Sequence, residues 1–134
     1  MKIVGVIPAR YQSSRFPGKP LLDLNGTPMI VRVANIVEKA LGKKNTYIAT
    51  DDKRIMDTVE SYGFKAIMTS TDCITGTDRV YDFSKQIKAD IYVNIQGDEP
   101  LLNYKDIQKI IVLKKKNIDY IINAMCSLGP EEDP

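Results

Sequence analysis

The sequence predicts an α/β domain built on a doubly wound, mainly parallel sheet. Short apolar runs alternate with helical patterns of about ten to fifteen residues, the signature of successive βαβ units. The first run, Ile3 to Ile7, is apolar apart from one glycine, as a strand covered on both faces requires. At 134 residues, 43% apolar and 27% charged, the chain has the length and composition of one ordinary globular domain.

The elements follow in order. Strand one breaks at Pro8 into a basic segment, and Leu21 to Leu24 leads to the turn signal Asn25-Gly26. Thr27 is expected to cap a helix with Pro28 in its first turn. That helix carries Ile30, Val33, Val37 and Leu41 on one face and stops at Gly42. Thr46 to Thr50 is the second strand, and Asp51-Asp52 supplies a cap for a helix that buries Ile55, Met56 and Val59 and ends at Gly63. Phe64 to Met68 is the third strand. After the polar stretch 69–78 comes a helix with Val80, Tyr81, Phe83, Ser84 and Ile87. Asp90 to Ile95 is the fourth strand, and Asn103 caps a helix bearing Ile107, Ile110, Ile111 and Leu113. Asp119 to Met125 reads as a fifth strand. Residues 1–128 form the expected domain, and 129–134 read as an acidic tail or connection.

Composition excludes several chemistries. With no histidine, a Ser-His-Asp triad, a Cys-His pair and a His-ligated zinc are ruled out. Cys73 and Cys126 form no disulfide framework or CxxC motif; Cys73 lacks a visible base, and Cys126 reads as core. A net charge of +2 does not call for nucleic acid, and Lys114 to Lys116 reads as a helix end. No apolar run is long enough to span a bilayer and no signal-peptide pattern opens the chain, so the cytoplasm is the expected location. Chemistry here must run on carboxylates, Lys and Arg, with or without a divalent cation.

Three loops leave the carboxyl ends of strands, which in a doubly wound sheet lie along one edge. The first holds Arg10, Arg15, Gly18 and Lys19, a set suited to a polyphosphate; taken alone, it reads equally well as a solvated basic loop. The third places Asp98 and Glu99 ahead of Pro100, where adjacent carboxylates suit Mg²⁺ shared with phosphate oxygens, or else a salt-bridged turn. The second offers Thr75, Gly76 and Thr77 to a base edge or phosphate, or uses a threonine simply as helix cap. Arg79, in the first turn of that helix, opposes the helix dipole and points to an anionic partner or a surface salt bridge. Neither GxxxxGK[ST] nor GxGxxG follows the first strand, so side chains and an irregular loop must hold the phosphates.

Three motifs in matching order and spacing, Ile7-Pro-Ala-Arg-Tyr-Gln-Ser-Ser-Arg-Phe-Pro-Gly-Lys-Pro-Leu21, Thr75-Gly-Thr-Asp-Arg79 and Asn94-Ile-Gln-Gly-Asp-Glu-Pro100, resemble those of the 3-deoxy-manno-octulosonate (KDO) cytidylyltransferases. The resemblance implies a Rossmann-like fold of the nucleotide-sugar transferase type, of which this chain is the N-terminal portion. It implies transfer of CMP from CTP to the anomeric hydroxyl of KDO, releasing pyrophosphate, with Mg²⁺ as cofactor and lipopolysaccharide synthesis as destination. By position, Arg10, Arg15 and Lys19 grip the CTP phosphates and Asp98 binds the metal, so Arg10, Lys19 and Asp98 are the expected catalytic residues. Pro8, Ala9, Gln96, Thr75, Gly76 and Thr77 face the nucleotide.

The implied partners are CTP and an acidic 3-deoxy sugar, with no nucleic acid or membrane insertion. The family's homodimer interface, second metal-binding aspartate and most sugar contacts lie beyond this stretch, so little turnover is expected from 1–134 alone. The middle loop departs from the family pattern R-x-D-H-x-S-G-T-E-R, having Ser70 for the arginine, Cys73 for the histidine, Thr75 for the serine and Asp78 for the glutamate. An amino-substituted KDO as acceptor, a Mg²⁺-dependent glycosyltransferase and a non-catalytic nucleotide-binding module are the alternatives.

Overall fold

The computed structural model describes residues 1–12 and 15–122. Four parallel strands form its sheet: β1 (Ile3–Ala9), β4 (Thr46–Thr50), β5 (Lys65–Met68) and β6 (Ile91–Asn94). Between β1 and β4 a two-residue hairpin pairs β2 (Asp23–Leu24) with β3 (Thr27–Pro28), followed by α1 (Met29–Leu41). α2 (Lys53–Ser61), α3 (Gly76–Gln86) and α4 (Tyr104–Lys116) complete the set. The sheet order is β5-β4-β1-β6, with Gly5 opposite Thr46 and Ile3 opposite Ile91. The chain steps outward through β4 and β5, then returns to the other side of β1. The order therefore reverses between β1 and β6.

Alternation along β1 divides the core in two. Ile7 joins Ile48 against α1, α2 and α4, burying Ile30, Val33, Val37, Ile55, Val59, Ile107 and Ile111. Val4 and Val6 face the other way, with Tyr47 and Ala49, onto Phe83 of α3. The Phe83 ring sits 5.2 Å from that of Tyr47 and 6.3 Å from that of Tyr92, in tilted and edge-on geometries. Helices on both faces make the sheet doubly wound, as the continuous apolar strand predicts.

Gly5 sits where β1 packs directly beneath α1. A Cβ there would lie 2.5 Å from Val37 Cγ1 and 2.9 Å from Leu41 Cδ1. Gly5→Ala is therefore expected to lower stability by about 1–3 kcal/mol through overpacking. Urea unfolding measures it; an unchanged midpoint would mean that α1 can retreat at no cost.

The caps explain where helices start. Thr75 and Asn103 cap α3 and α4. Asp52 caps α2 by accepting from the Arg54 N–H at 2.8 Å. Hydrogen bonds from the Arg54 guanidinium hold the Asp52 carboxyl below the usual carboxylate range. The carboxylate's contribution to stability is thus full above the unfolded-state pKa and lost as pH falls through the lowered folded value.

Two expectations are corrected. Thr27 and Pro28 do not start α1; they pair with Asp23 and Leu24 around Asn25 (φ 54°) and Gly26 (φ 91°), so the turn signal makes a hairpin. The helix begins at Met29 without a side-chain cap, and Arg32 reaches back to the Leu24 carbonyl. The expected fifth strand is not formed over 119–122. Instead α4 ends in a turn in which Tyr120 N–H bonds the Asn117 carbonyl at 3.0 Å, and Lys114 Nζ donates to the carbonyls of Ile118 and Tyr120. The remainder of that segment, Cys126 and the 129–134 tail lie outside the described residues. Among the described residues no helix is long and apolar enough to cross a membrane.

Candidate active site

Where strand order reverses, the loops after β1 and β6 leave the sheet side by side, and open α/β sheets bind ligands at such a switch point. Here it is a cleft of about 410 Å³. The end of β1 contributes Pro8 and Ala9, and Arg10 follows directly. A 3-10 turn, Lys19–Leu21, brings Lys19 and Pro20 back to the cleft, entered through Gly18 in the left-handed conformation (φ 75°). The start of α3 supplies Thr75 and Gly76; the segment after β6 supplies Gln96, Gly97 and Asp98. All three loops singled out in the sequence meet here.

Two glycines allow the meeting. A Cβ on Gly97 would sit 3.3 Å from the Pro8 carbonyl oxygen and 3.2 Å from Ile30 Cδ1. One on Gly76 would lie 3.2 Å from Pro8 Cγ and 3.6 Å from the Gln96 amide. Larger residues would force the second and third loops away from the end of β1.

Charge is arranged across the cleft. Lys19 Nζ and Asp98 Oδ2 are 3.7 Å apart, both half-exposed, joining the first loop to the third. An ion pair this exposed contributes at most about 1 kcal/mol, so it exchanges readily for a phosphate oxygen on one side and a cation on the other. No group of three or more His, Cys, Asp or Glu converges among the described residues. Glu99 is exposed and outside the lining. Among the described residues Asp98 is thus the one carboxylate in the lining, a donor of the kind that would suit Mg²⁺.

Arg15 and Thr77 are exposed and do not line the cleft, unlike the other residues expected to bind nucleotide. The Thr75 side chain is engaged in a capping box: its Oγ1 accepts from Asp78 N–H at 3.1 Å while Asp78 Oδ2 accepts from Thr75 N–H at 3.1 Å. Its hydroxyl is a cap, and what it presents to the cleft is a fixed helix start.

Arg79 does pair with a carboxylate, but not at the surface: it is 3% exposed in the cleft wall, beside Asp51. Its Nη1 donates to Thr69 Oγ1 at 2.7 Å and the Ser70 carbonyl at 3.2 Å, and its Nη2 lies 3.6 Å from Asp51 Oδ2. The arginine ties the ends of β4 and β5 to the first turn of α3, so intramolecular partners outweigh its unfavourable place on the helix dipole.

Cys73 is half-buried in the lining, and burial pushes its thiol up, which leaves a poor nucleophile. Phe16, Met29 and Ile74 also line the cleft and were not singled out in the sequence, since an apolar side chain acquires such a place only through the fold around it.

The family model described as Cytidylyltransferase matches residues 4–132. The chain is 47% identical over 110 residues to the 3-deoxy-manno-octulosonate cytidylyltransferase of Escherichia coli, an alignment covering 82% of this chain and 45% of the relative. It is 46% identical over 120 residues to the 8-amino-3,8-dideoxy-manno-octulosonate cytidylyltransferase of Shewanella sp. (strain ANA-3), covering 87% and 49% respectively. A solved structure of CMP:2-keto-3-deoxy-manno-octonic acid synthetase complexed with CTP superposes with a TM-score of 0.84 at 44% identity, over 88% of this chain and 49% of that one. A cytidylyltransferase from Leptospira borgpetersenii serovar Hardjo-bovis (strain JB197) superposes at 0.74 with 26% identity, over 87% and 50%. The chain spans about half the length of the relatives it matches.

Proposed function

This chain belongs to the cytidylyltransferase family, and on that premise we propose that its cleft binds CTP for transfer of CMP to the anomeric hydroxyl of KDO. The products are CMP-KDO, destined for lipopolysaccharide synthesis, and pyrophosphate. The observation that carries the reading is the meeting of Lys19 and Asp98, 3.7 Å apart, at the switch point of the sheet. A cation donor and a carboxylate at that spacing suit a triphosphate with its counter-ion.

In this reading Arg10 and Lys19 hold the outer phosphates, with Arg15 approaching from the same loop. Pro8, Ala9, Gln96 and the start of α3 face the nucleoside. The bond between the α-phosphorus and the departing pyrophosphate breaks while the sugar oxygen bonds the same phosphorus and releases its proton to solvent. Such transfers depend on positioning and charge neutralisation more than on a covalent nucleophile, so a cleft without histidine is sufficient for this half of the task. Asp98 is the residue that would hold Mg²⁺, which when bound would supply charge neutralisation at the phosphates.

The 8-amino sugar is a second acceptor reading. It is favoured by the near-equal identity to relatives named for either acceptor, 47% and 46%.

Lys19→Ala separates the phosphate cradle from the nucleoside contacts. CTP affinity is expected to fall about tenfold or more, as for loss of one charged hydrogen bond, with CMP nearly unaffected. Calorimetric titration of both nucleotides reads this out; equal losses would show that Lys19 does not touch the outer phosphates.

A further inference from the structure

A loop that gathers like charges resists ordering, because repulsion adds to the conformational entropy lost on fixing each residue. The stretch from Arg10 to Lys19 therefore needs an anchor away from its cations, and the structure contains one. Tyr11 is half-buried against the main core. Its carbonyl accepts from Gly18 N–H at 2.8 Å, closing the loop. A Cβ on Gly18 would fall 3.0 Å from the Tyr11 ring, and its φ of 75° is a backbone conformation that favours glycine.

The same ring meets a second element. The Arg54 guanidinium lies 3.3 Å from the ring centroid. It is held there by Asp52, with Nε donating to Oδ1 at 3.0 Å and Nη2 to Oδ2 at 2.8 Å. Asp52 is itself fixed as the cap of α2, the helix that also contacts the turn carrying Lys19. A planar guanidinium locked by a fork-like carboxylate makes a rigid stacking plate, which a lysine does not reproduce. The plate is neutralised by its own carboxylate, so it adds order to the loop without adding charge to the cleft.

We propose that Asp52, Arg54 and Tyr11 form a positioning brace that holds the phosphate-binding loop in register with the cleft. Arg54 and Asp52 do not line the cleft. They act through Tyr11 and Gly18 on Arg10 and Lys19. The inference rests on the phosphate-binding reading above and adds to it the residues that organise the loop.

Titration of CTP and CMP against the wild-type chain and the variants Arg54→Ala, Arg54→Lys and Asp52→Asn tests it. Arg54→Ala is expected to weaken CTP about three- to fivefold, the size of a partly exposed stack, and CMP less than twofold. Arg54→Lys should stay weakened, because it restores charge but not the plate. Asp52→Asn keeps a helix cap and removes a negative charge. Simple electrostatics says it should strengthen CTP binding; the brace says it should weaken it. Amide exchange should rise at Gly18 in all three variants, whether or not nucleotide is present.

Wild-type CTP affinity in Arg54→Ala, full rescue by Arg54→Lys, or tighter CTP binding in Asp52→Asn would each overturn the brace alone. Failure of the wild-type chain to bind CTP would overturn the phosphate reading and the brace together.

Discussion

Arg79→Ala is expected to destabilise the fold by about 3–5 kcal/mol, the usual result of removing one partner from a buried charge pair. The residue is 3% exposed; its guanidinium donates to Thr69 Oγ1 and the Ser70 carbonyl and lies 3.6 Å from Asp51 Oδ2. Truncation leaves the Asp51 carboxylate, itself 20% exposed, facing a void with no counter-charge. Two hydrogen-bond acceptors are abandoned alongside it. Because the arginine links the ends of β4 and β5 to the start of α3, the loss also frees the loop that carries Cys73 to Gly76 into the cleft. Arg79→Lys should fall between, keeping a cation near Asp51 but losing the reach to Thr69 and Ser70 together. Urea unfolding gives the number, and a loss under about 1 kcal/mol would show that water replaces the arginine without penalty.

Asp98→Asn is expected to abolish the effect of Mg²⁺ on CTP binding, lowering affinity in its presence by about a hundredfold. That factor corresponds to about 3 kcal/mol, within the several kcal/mol a metal ion contributes at a phosphate. The substitution changes no volume at a half-exposed position, so thermal stability should hold. Without Mg²⁺ the sign reverses. Lys19 loses its 3.7 Å partner and becomes available to phosphate, so metal-free CTP should bind as well as before or slightly better. A preserved response to Mg²⁺ would place the metal on other residues.

What was legible in the sequence follows from physics local to each segment. Ile3 to Ile7 declared a doubly covered strand because alternate residues face two different helix layers, Val4 and Val6 toward Phe83 and Ile7 toward α1. Asp52, Thr75 and Asn103 signalled helix starts because capping involves a side chain and its own neighbours. Thr27-Pro28 misled because a hairpin and a helix start want the same residues. Backbone pairing of Asp23 and Leu24 with Thr27 and Pro28 decided in favour of the hairpin.

The cleft was legible in its charged members, Arg10, Lys19 and Asp98, since they follow strands whose parallel order fixes where their ends go. Its apolar members were not, because Phe16, Met29 and Ile74 carry no mark that distinguishes a lining residue from a surface one. Arg79 was legible only in part: an ion pair was expected, but not its burial. Spacing placed it correctly in a first helical turn, but its partners Asp51, Thr69 and Ser70 come from segments that only the folded sheet brings together.

The nucleotide bound in the β1–β6 crevice decides the function. Calorimetric titration of the 134-residue chain with CTP, UTP, ATP and GTP in the presence of Mg²⁺ tests that most directly. One saturable site is expected, with CTP bound at least about tenfold more tightly than the other three, a margin that a single base-edge hydrogen bond supplies. Equal affinity for all four nucleotides, or no binding of CTP, would contradict it.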